Sequence, residues 1–136
     1  RILAIDYGKK RTGLAVTDML RITANPLLTV DTSQLIDWLT QYFAKEEVDE
    51  VVIGHPLQMS GKESESMNYI KPFINRFRKL WPSMQLVEYD ERFTSVLAHR
   101  AMIDGGMKRK QRQDKAVVDK LAACIILEDY LQSLQP

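Results

Sequence analysis

A short apolar run that ends in a carboxylate opens the chain and limits its fold more than any other feature. Residues Ile2 to Ile5 are continuously apolar, which is typical of a strand covered on both faces, and Asp6 follows them directly. Residues 11 to 18 read as the return strand, and Gly8 and Gly13 allow turn conformations closed to other residues. An unpaired charge is strongly disfavoured at the mouth of a dry core. Asp6 therefore either accepts hydrogen bonds from the turn or binds a cation.

Length and composition indicate a single domain over residues 1–136 and exclude several classes of protein. Hydrophobic residues make up 45% and charged residues 27% of the 136 positions, which is ordinary for a soluble domain. No apolar run approaches the roughly 20 residues of a membrane-spanning helix. The single cysteine, Cys124, has apolar neighbours and reads as a core residue, so a cytoplasmic location is expected. The net charge is only +1, so any binding of nucleic acid must depend on local basic patches.

The periodicity of apolar residues predicts an α/β fold. The order is three strands, then helix, strand, helix, strand, helix and helix, which favours a five-stranded mixed sheet with helices on both faces and the first three strands antiparallel. Ligands bind such sheets outside the carboxyl ends of the parallel strands. The predicted strands are 2–6, 12–18, 22–30, 51–54 and 85–89, and the predicted helices are one capped by residues 31–33 and ending near 45, then 63–80, 94–103 and 114–134.

Two further carboxylates border apolar surfaces. Glu91 follows a predicted strand and shares a face with Val87 and Tyr89, and Asp119 lies on or beside the inward face of the last predicted helix. Gathered with Asp6, these acids would repel one another unless a counter-ion were present. Mg²⁺ prefers oxygen ligands, and a pair of such ions can stabilise the attacking and leaving oxygens of phosphodiester cleavage. Solvated or capping carboxylates remain the alternative for each acid.

Basic residues beside these acids suit a substrate that bears phosphates. Arg92 is adjacent to Glu91, where its guanidinium could bind a phosphate or hold a neighbouring carboxylate. The other candidates lie in the first turn and in the segment before the last helix, and a solvated charged loop is the alternative for that segment. These candidates are Lys9, Lys10, Arg11, Lys108, Arg109, Lys110, Arg112 and Lys115.

Four ordered motifs resemble the YqgF (RuvX) family, which is described both as Holliday junction resolvases and as pre-16S ribosomal RNA nucleases. They are DYG with RTGLAV at 6–8 and 11–16, VIGHPL at 52–57, DERFTS at 90–95, and DKLAA at 119–123. The resemblance implies a ribonuclease H-like fold, Mg²⁺ or Mn²⁺, and a structured nucleic acid as substrate. It also implies that Asp6, Glu91 and Asp119 are the catalytic metal ligands. Related resolvases carry two acids about a turn apart on the last helix, whereas this chain has Lys115 and Ala116 at the corresponding positions.

The resulting hypothesis is a metal-dependent endonuclease that trims the ends of pre-16S ribosomal RNA, acting as a monomer or weak homodimer. A resolvase of branched DNA is one alternative, and a non-catalytic nucleic-acid-binding or regulatory factor of the same fold is another. The actin and sugar-kinase superfamily also uses an aspartate and glycines on a hairpin, but the length of this chain excludes the two domains which that superfamily needs.

Overall fold

A computed structural model describes residues 1–55, 67–90 and 115–134, apart from the side chains of 55, 67 and 115–118. Five strands, three helices and one short 3-10 helix occur in this part of the chain. The strands are β1 (Ile2–Asp6), β2 (Arg11–Thr17), β3 (Ala24–Asp31), β4 (Glu50–His55) and β5 (Gln85–Asp90). The helices are α1 (Leu35–Lys45), which the 3-10 helix Thr32–Gln34 precedes, α2 (Met67–Leu80) and α3 (Lys115–Ser133).

The strands form one mixed sheet in the order β3-β2-β1-β4-β5. β2 pairs antiparallel with both β1 and β3, whereas β4 pairs parallel with both β1 and β5. This arrangement confirms the predicted five-stranded sheet with its first three strands antiparallel. It also brings the carboxyl ends of β1, β4 and β5 to one edge of the sheet, called here the carboxyl edge.

Two apolar clusters cover the two faces of the sheet, as the continuous apolar strands predicted. Leu3, Ile5 and Ile53 point into the cluster that contains the buried residues of α1 and α2. Ile2, Ala4 and Val52 point to the other face and pack against α3. Each cluster excludes water from one side of the central strands, so burial of both faces stabilises the fold.

Strand alternation sends the last residues of β1 to different faces. Tyr7 packs against the cluster formed with α1 and α2, on the same side as Ile5. Asp6 lies between them in sequence, so its side chain points to the α3 side, where Ala4 is fully buried. The side chains of the neighbouring residues Asp6 and Tyr7 thus point to opposite faces of the sheet at its carboxyl edge.

Two local predictions were wrong. β3 begins at Ala24 rather than Ile22, because the Asp18 carboxylate accepts hydrogen bonds from the N–H groups of Ile22 and Thr23 and keeps them in the β2–β3 turn. The predicted cap of the first helix is also absent: Asp31 belongs to β3 and makes no capping hydrogen bond with its side chain.

The remaining helices agree with the sequence within the part of the chain that the structure describes. The positions 63–66 predicted for the second helix, the helix at 94–103, and Asp114 as the cap of the last helix lie outside the described residues. Across residues 1–55, 67–90 and 115–134, no helix combines the length and the apolar character needed to cross a membrane.

Candidate active site

Asp6 and Asp119 face each other on the α3 side of the sheet, although 113 positions separate them in the sequence. Asp6 ends β1 and Asp119 lies near the start of α3. Burial, and secondly the negative charge of Asp119, raise the pKa of the Asp6 carboxyl from 3.8 to about 7. The carboxylate form of Asp6 is therefore disfavoured unless a cation approaches it.

Gly13 in β2 allows this approach of the helix to the sheet. It pairs with Asp6 across the β1–β2 ladder. A Cβ atom at Gly13 would lie 2.0 Å from the main-chain oxygen of Asp119 and 2.4 Å from its carbonyl carbon. Van der Waals contact needs more than 3 Å, so only glycine lets the backbone of α3 rest on β2 here. The sequence had suggested a turn conformation for Gly13, whereas the structure shows a requirement for space.

Arg11 supplies a positive charge beside these acids. Its Nε donates a hydrogen bond to Oδ2 of Asp119 over 3.0 Å, and the two side chains are only 37% and 25% exposed. Such a charge-assisted bond holds the Asp119 carboxylate in one orientation. Arg11 was predicted to bind substrate phosphate, and in this structure its guanidinium contacts a predicted metal ligand.

The β1–β2 turn carries the other two basic candidates of this region. Lys9 and Lys10 are exposed there, beside the carboxyl edge. The Thr32 hydroxyl donates to the carbonyl of Gly8 over 2.7 Å, and the Thr32 N–H donates to the carbonyl of Lys10 over 2.9 Å. The Thr32 and Thr12 hydroxyls lie 2.9 Å apart. Sequence reasoning missed this role of Thr32, because threonine before a helix is a typical capping signal.

The remaining predicted site residues adjoin described elements in the sequence or lie outside the described residues. Val87 and Tyr89 pack on the α3 side of the sheet, as predicted, and β5 ends at Asp90, one residue before Glu91. Lys115 is the first residue of α3, but its side chain is not described. Glu91, Arg92, Lys108, Arg109, Lys110 and Arg112 lie outside the described residues.

The chemistry of the Asp6 and Asp119 pair fits a hard divalent cation. Both side chains offer carboxylate oxygens, which are the ligands that Mg²⁺ prefers. Within the described residues no hydrogen-bond donor reaches the Asp6 carboxylate, and burial has raised its pKa. The same part of the chain contains no cluster of three acidic, histidine or cysteine side chains that could hold a metal. Two of the three predicted ligands therefore come together, and the third, Glu91, follows β5.

Comparison with solved structures places this architecture in the ribonuclease H-like class. The fowlpox virus Holliday junction resolvase in complex with junction DNA matches over 99% of both chains, with a TM-score of 0.60 at 12% identity. The same viral resolvase in a second crystal structure matches with a TM-score of 0.57 at 11% identity over 98% of this chain and 99% of that chain. At these identities the likeness concerns the fold alone, and it confirms the predicted class.

The chain belongs to the RuvX family. The sequence model of this family, described as Holliday junction resolvase, matches residues 1–133. A protein of Phocaeicola vulgatus named "Putative pre-16S rRNA nuclease" is 59% identical over 98% of this chain and 96% of its own length. A protein of the same name from Flavobacterium johnsoniae is 51% identical over 98% of this chain and 96% of its own length. These matches confirm the family that the motifs at Asp6, Glu91 and Asp119 indicated.

Proposed function

We propose that this protein is a metal-dependent endonuclease that hydrolyses phosphodiester bonds in structured RNA, with the ends of pre-16S ribosomal RNA as its substrate. One observation carries the proposal: a partly buried aspartate at the carboxyl edge faces a second aspartate, and its pKa is raised to about 7. A pair of this kind is costly for folding and is typical of functional sites. The names of the relatives support the choice of substrate.

In this proposal Asp6, Glu91 and Asp119 hold Mg²⁺ or Mn²⁺. The bound ions would supply electrostatic stabilisation of the attacking and leaving oxygens during phosphodiester hydrolysis. Asp6 contributes a carboxylate at the buried end of β1, and Asp119 contributes one that Arg11 bonds while no metal is bound. Because β1 and α3 are both anchored in the core, the two carboxylates stay in place without the substrate.

Basic side chains are proposed to hold the RNA backbone beside these acids. Lys9 and Lys10 are exposed on the turn that Thr32 holds against the start of α1, so their charges lie close to the carboxyl edge. Arg11 bonds Asp119 and extends the same basic turn towards the acids. Contacts of this type position a nucleic acid without reading its sequence. Arg92, Lys108, Arg109, Lys110, Arg112 and Lys115 are proposed to continue this phosphate-binding surface.

Cleavage assays with matched substrates test the proposal. An RNA precursor and a four-way DNA junction are incubated with Mg²⁺, Mn²⁺ or a chelator, using the unmodified protein, Asp6→Asn and Glu47→Gln. Glu47 is an exposed acid before β4, far from the carboxyl edge, so it controls for the loss of one negative charge. We expect Asp6→Asn to lose cleavage and retain binding, and Glu47→Gln to retain both. Cleavage in chelator, or by Asp6→Asn at the unmodified rate, would overturn the assignment.

Resolution of Holliday junctions is the second candidate, because the family model carries that description and a junction resolvase shares the fold. The same assay separates the two candidates by the substrate that is cleaved. A resolvase cuts two strands symmetrically and needs two sites, so its activity should coincide with a dimer, whereas the RNA nuclease is proposed to act as a monomer or weak homodimer. Binding without cleavage of either substrate would instead indicate a regulatory factor of this fold.

The proposal also includes a single domain and a cytoplasmic location. The described strands all belong to one sheet with a core on each face. The only cysteine, Cys124, is a free thiol packed in one of these cores, which is common in proteins of reducing compartments. Fractionation of cells with an antibody against the protein tests the location.

A further inference from the structure

A groove lies on the side of the sheet opposite to the aspartate pair, between the start of α1 and helix α2. Its volume is about 400 Å³, within the roughly 300–1,000 Å³ typical of sites for small molecules. The side chains that matter for its chemistry are Tyr7, Ser33, Asp37, Tyr69, Phe73 and Arg76. None of them belongs to the metal site proposed above, so the groove needs an explanation of its own.

Aromatic rings form one wall of this groove. The Tyr7 and Phe73 rings are stacked with centroids 4.5 Å apart and planes inclined by 25°. The Tyr69 ring lies 6.1 Å from that of Tyr7 at an inclination of 34°. Phe73 is buried, whereas Tyr7 and Tyr69 are half-exposed. Phe73 therefore supports the wall from the core, and the two tyrosines offer ring surface that a flat ligand can cover.

Charged and polar groups border the same aromatic wall. Arg76 is exposed on α2 and lines the groove together with Tyr7, so its guanidinium borders the aromatic wall. Asp37 and Ser33 are exposed at the start of α1 and add an acceptor and a hydroxyl group. A guanidinium suits a phosphate, and an acceptor suits the amino group of a base. This combination matches the parts of a nucleotide.

The position of the groove connects it to the aspartate pair. Tyr7 follows Asp6 directly, and their side chains point to opposite faces of the sheet at its carboxyl edge. Thr32, which also lines the groove, bonds the turn that carries Lys9 and Lys10. A polynucleotide strand at Asp6 reaches the groove only by bending round this edge. A duplex is too wide and stiff for that path, whereas an unpaired strand can follow it.

We propose that this groove binds one unpaired nucleotide of the substrate, with its base against Tyr69 and Tyr7 and its phosphate on Arg76. The inference depends on the proposed function, because it assigns a recognition site beside the same carboxylates. It predicts that the protein prefers RNA in which a single-stranded segment adjoins a duplex. Stacking of bases on aromatic side chains is a common and sequence-tolerant way to hold such segments.

Fluorescence of 2-aminopurine tests this assignment, because stacking of this base on an aromatic ring quenches its fluorescence. The base is placed in the single-stranded extension of a hairpin RNA and bound to Asp6→Asn protein, which is expected not to cleave. We expect quenching with the parent Asp6→Asn protein and its loss with added Tyr69→Leu, together with about 10-fold weaker binding. Arg76→Gln should weaken binding to a similar degree. Arg78→Gln removes an equal charge from the same helix and should change neither signal, since Arg78 lies away from the groove and pairs with Glu88.

A blunt RNA hairpin without the extension provides the second comparison. Tyr69→Leu and Arg76→Gln should leave its affinity unchanged, because the groove would have no unpaired nucleotide to bind. Equal quenching by all variants, or an equal loss of affinity for both RNAs, would overturn the inference. If the unmodified protein fails to cleave RNA but the quenching still depends on Tyr69, the proposed function fails and the groove assignment stands. If the unmodified protein cleaves RNA but Tyr69→Leu and Arg76→Gln change neither quenching nor affinity, the groove assignment fails and the proposed function stands.

Discussion

Arg11 bonds Asp119 through Nε at 3.0 Å, and Asp119 is the same residue whose charge raises the pKa of Asp6. One guanidinium thus neutralises part of the negative charge that two facing aspartates create. A divalent cation bound between these aspartates would take over that role. Arg11 and the metal are therefore expected to compete for the Asp119 carboxylate.

Replacing Arg11 by glutamine tests this competition. We expect Arg11→Gln to destabilise the metal-free protein by only about 0.5–1 kcal/mol, because the ion pair is partly exposed to water. Mg²⁺ should then raise the melting temperature more than it does in the unmodified protein, since the metal no longer displaces an arginine. Calorimetry in the presence and absence of Mg²⁺ measures both effects.

Arg21→Gln is the matched control for this experiment. Arg21 bonds Asp49 over the same 3.0 Å, in the β2–β3 turn. Its loss should leave the response to Mg²⁺ unaltered. If both variants respond to Mg²⁺ as the unmodified protein does, Arg11 does not compete with the metal.

The raised pKa of Asp6 predicts an unusual dependence of stability on pH in the absence of metal. Because the folded-state pKa of about 7 exceeds the usual 3.8, the folded protein holds this proton more tightly than the unfolded chain. Stability contributed by Asp6 is therefore full below about pH 4 and is lost as the pH rises to about 7. A shift of roughly three units corresponds to at most about 4 kcal/mol.

Urea denaturation of Asp6→Asn in chelator measures this contribution. The variant lacks the titrating group, so we expect it to be more stable than the unmodified protein at pH 8 and similar to it near pH 4. Glu47→Gln, which removes an exposed acid, should keep the profile of the unmodified protein. Parallel profiles for the unmodified protein and Asp6→Asn would show that Asp6 titrates normally.

Gly13→Ala is expected to displace the helix that carries Asp119. The new methyl group would overlap the main-chain oxygen of Asp119, and relief requires α3 to move away from β2. Overpacking of this kind costs about 3 kcal/mol. Hydrogen exchange measures the location of the damage: amides of α3 should exchange faster, whereas those of β4 and β5 keep their protection. Uniform acceleration, or none, would contradict this account of Gly13.

Cys124 is predicted to be an unreactive thiol. Burial, and then the nearby carboxylate of Glu128, raise its pKa from 9.0 to about 11, so the thiolate is roughly 100-fold scarcer at neutral pH than for an ordinary cysteine. We expect iodoacetamide to modify the folded protein at least 100-fold more slowly than the urea-unfolded protein. Mass spectrometry follows the reaction. Comparable rates in the two states would show that the thiol is accessible and ionised.

The sequence was sufficient for the sheet and for part of the site. Continuous apolar residues predicted strands with both faces covered, and alternation predicted that Val87 and Tyr89 share a face, which the packing against α3 confirms. The motifs predicted that Asp6 and Asp119 lie together. These features depend on periodicity and on short motifs, which a single sequence carries.

Contacts between distant residues were beyond this kind of reasoning. Arg11 looks like Lys9 and Lys10, its neighbours in a basic turn, and only the tertiary structure shows that it pairs with a residue 108 positions away. Gly13 looks like a turn glycine, and Thr32 looks like a helix cap. For each of these residues the sequence indicated a plausible local role. The residue that it actually contacts depends on how α3 and α1 dock on the sheet.

Because Asp6 and Asp119 are far apart in the sequence, the pair forms late in the synthesis of the chain. The first aspartate lies in β1 and the second in α3, so a nascent chain synthesised only as far as residue 90 contains one of the pair. The carboxylates meet only after α3 has been synthesised and has docked against β2. Until then a partly made chain cannot assemble the Asp6–Asp119 pair, and docking of the last helix completes that pair.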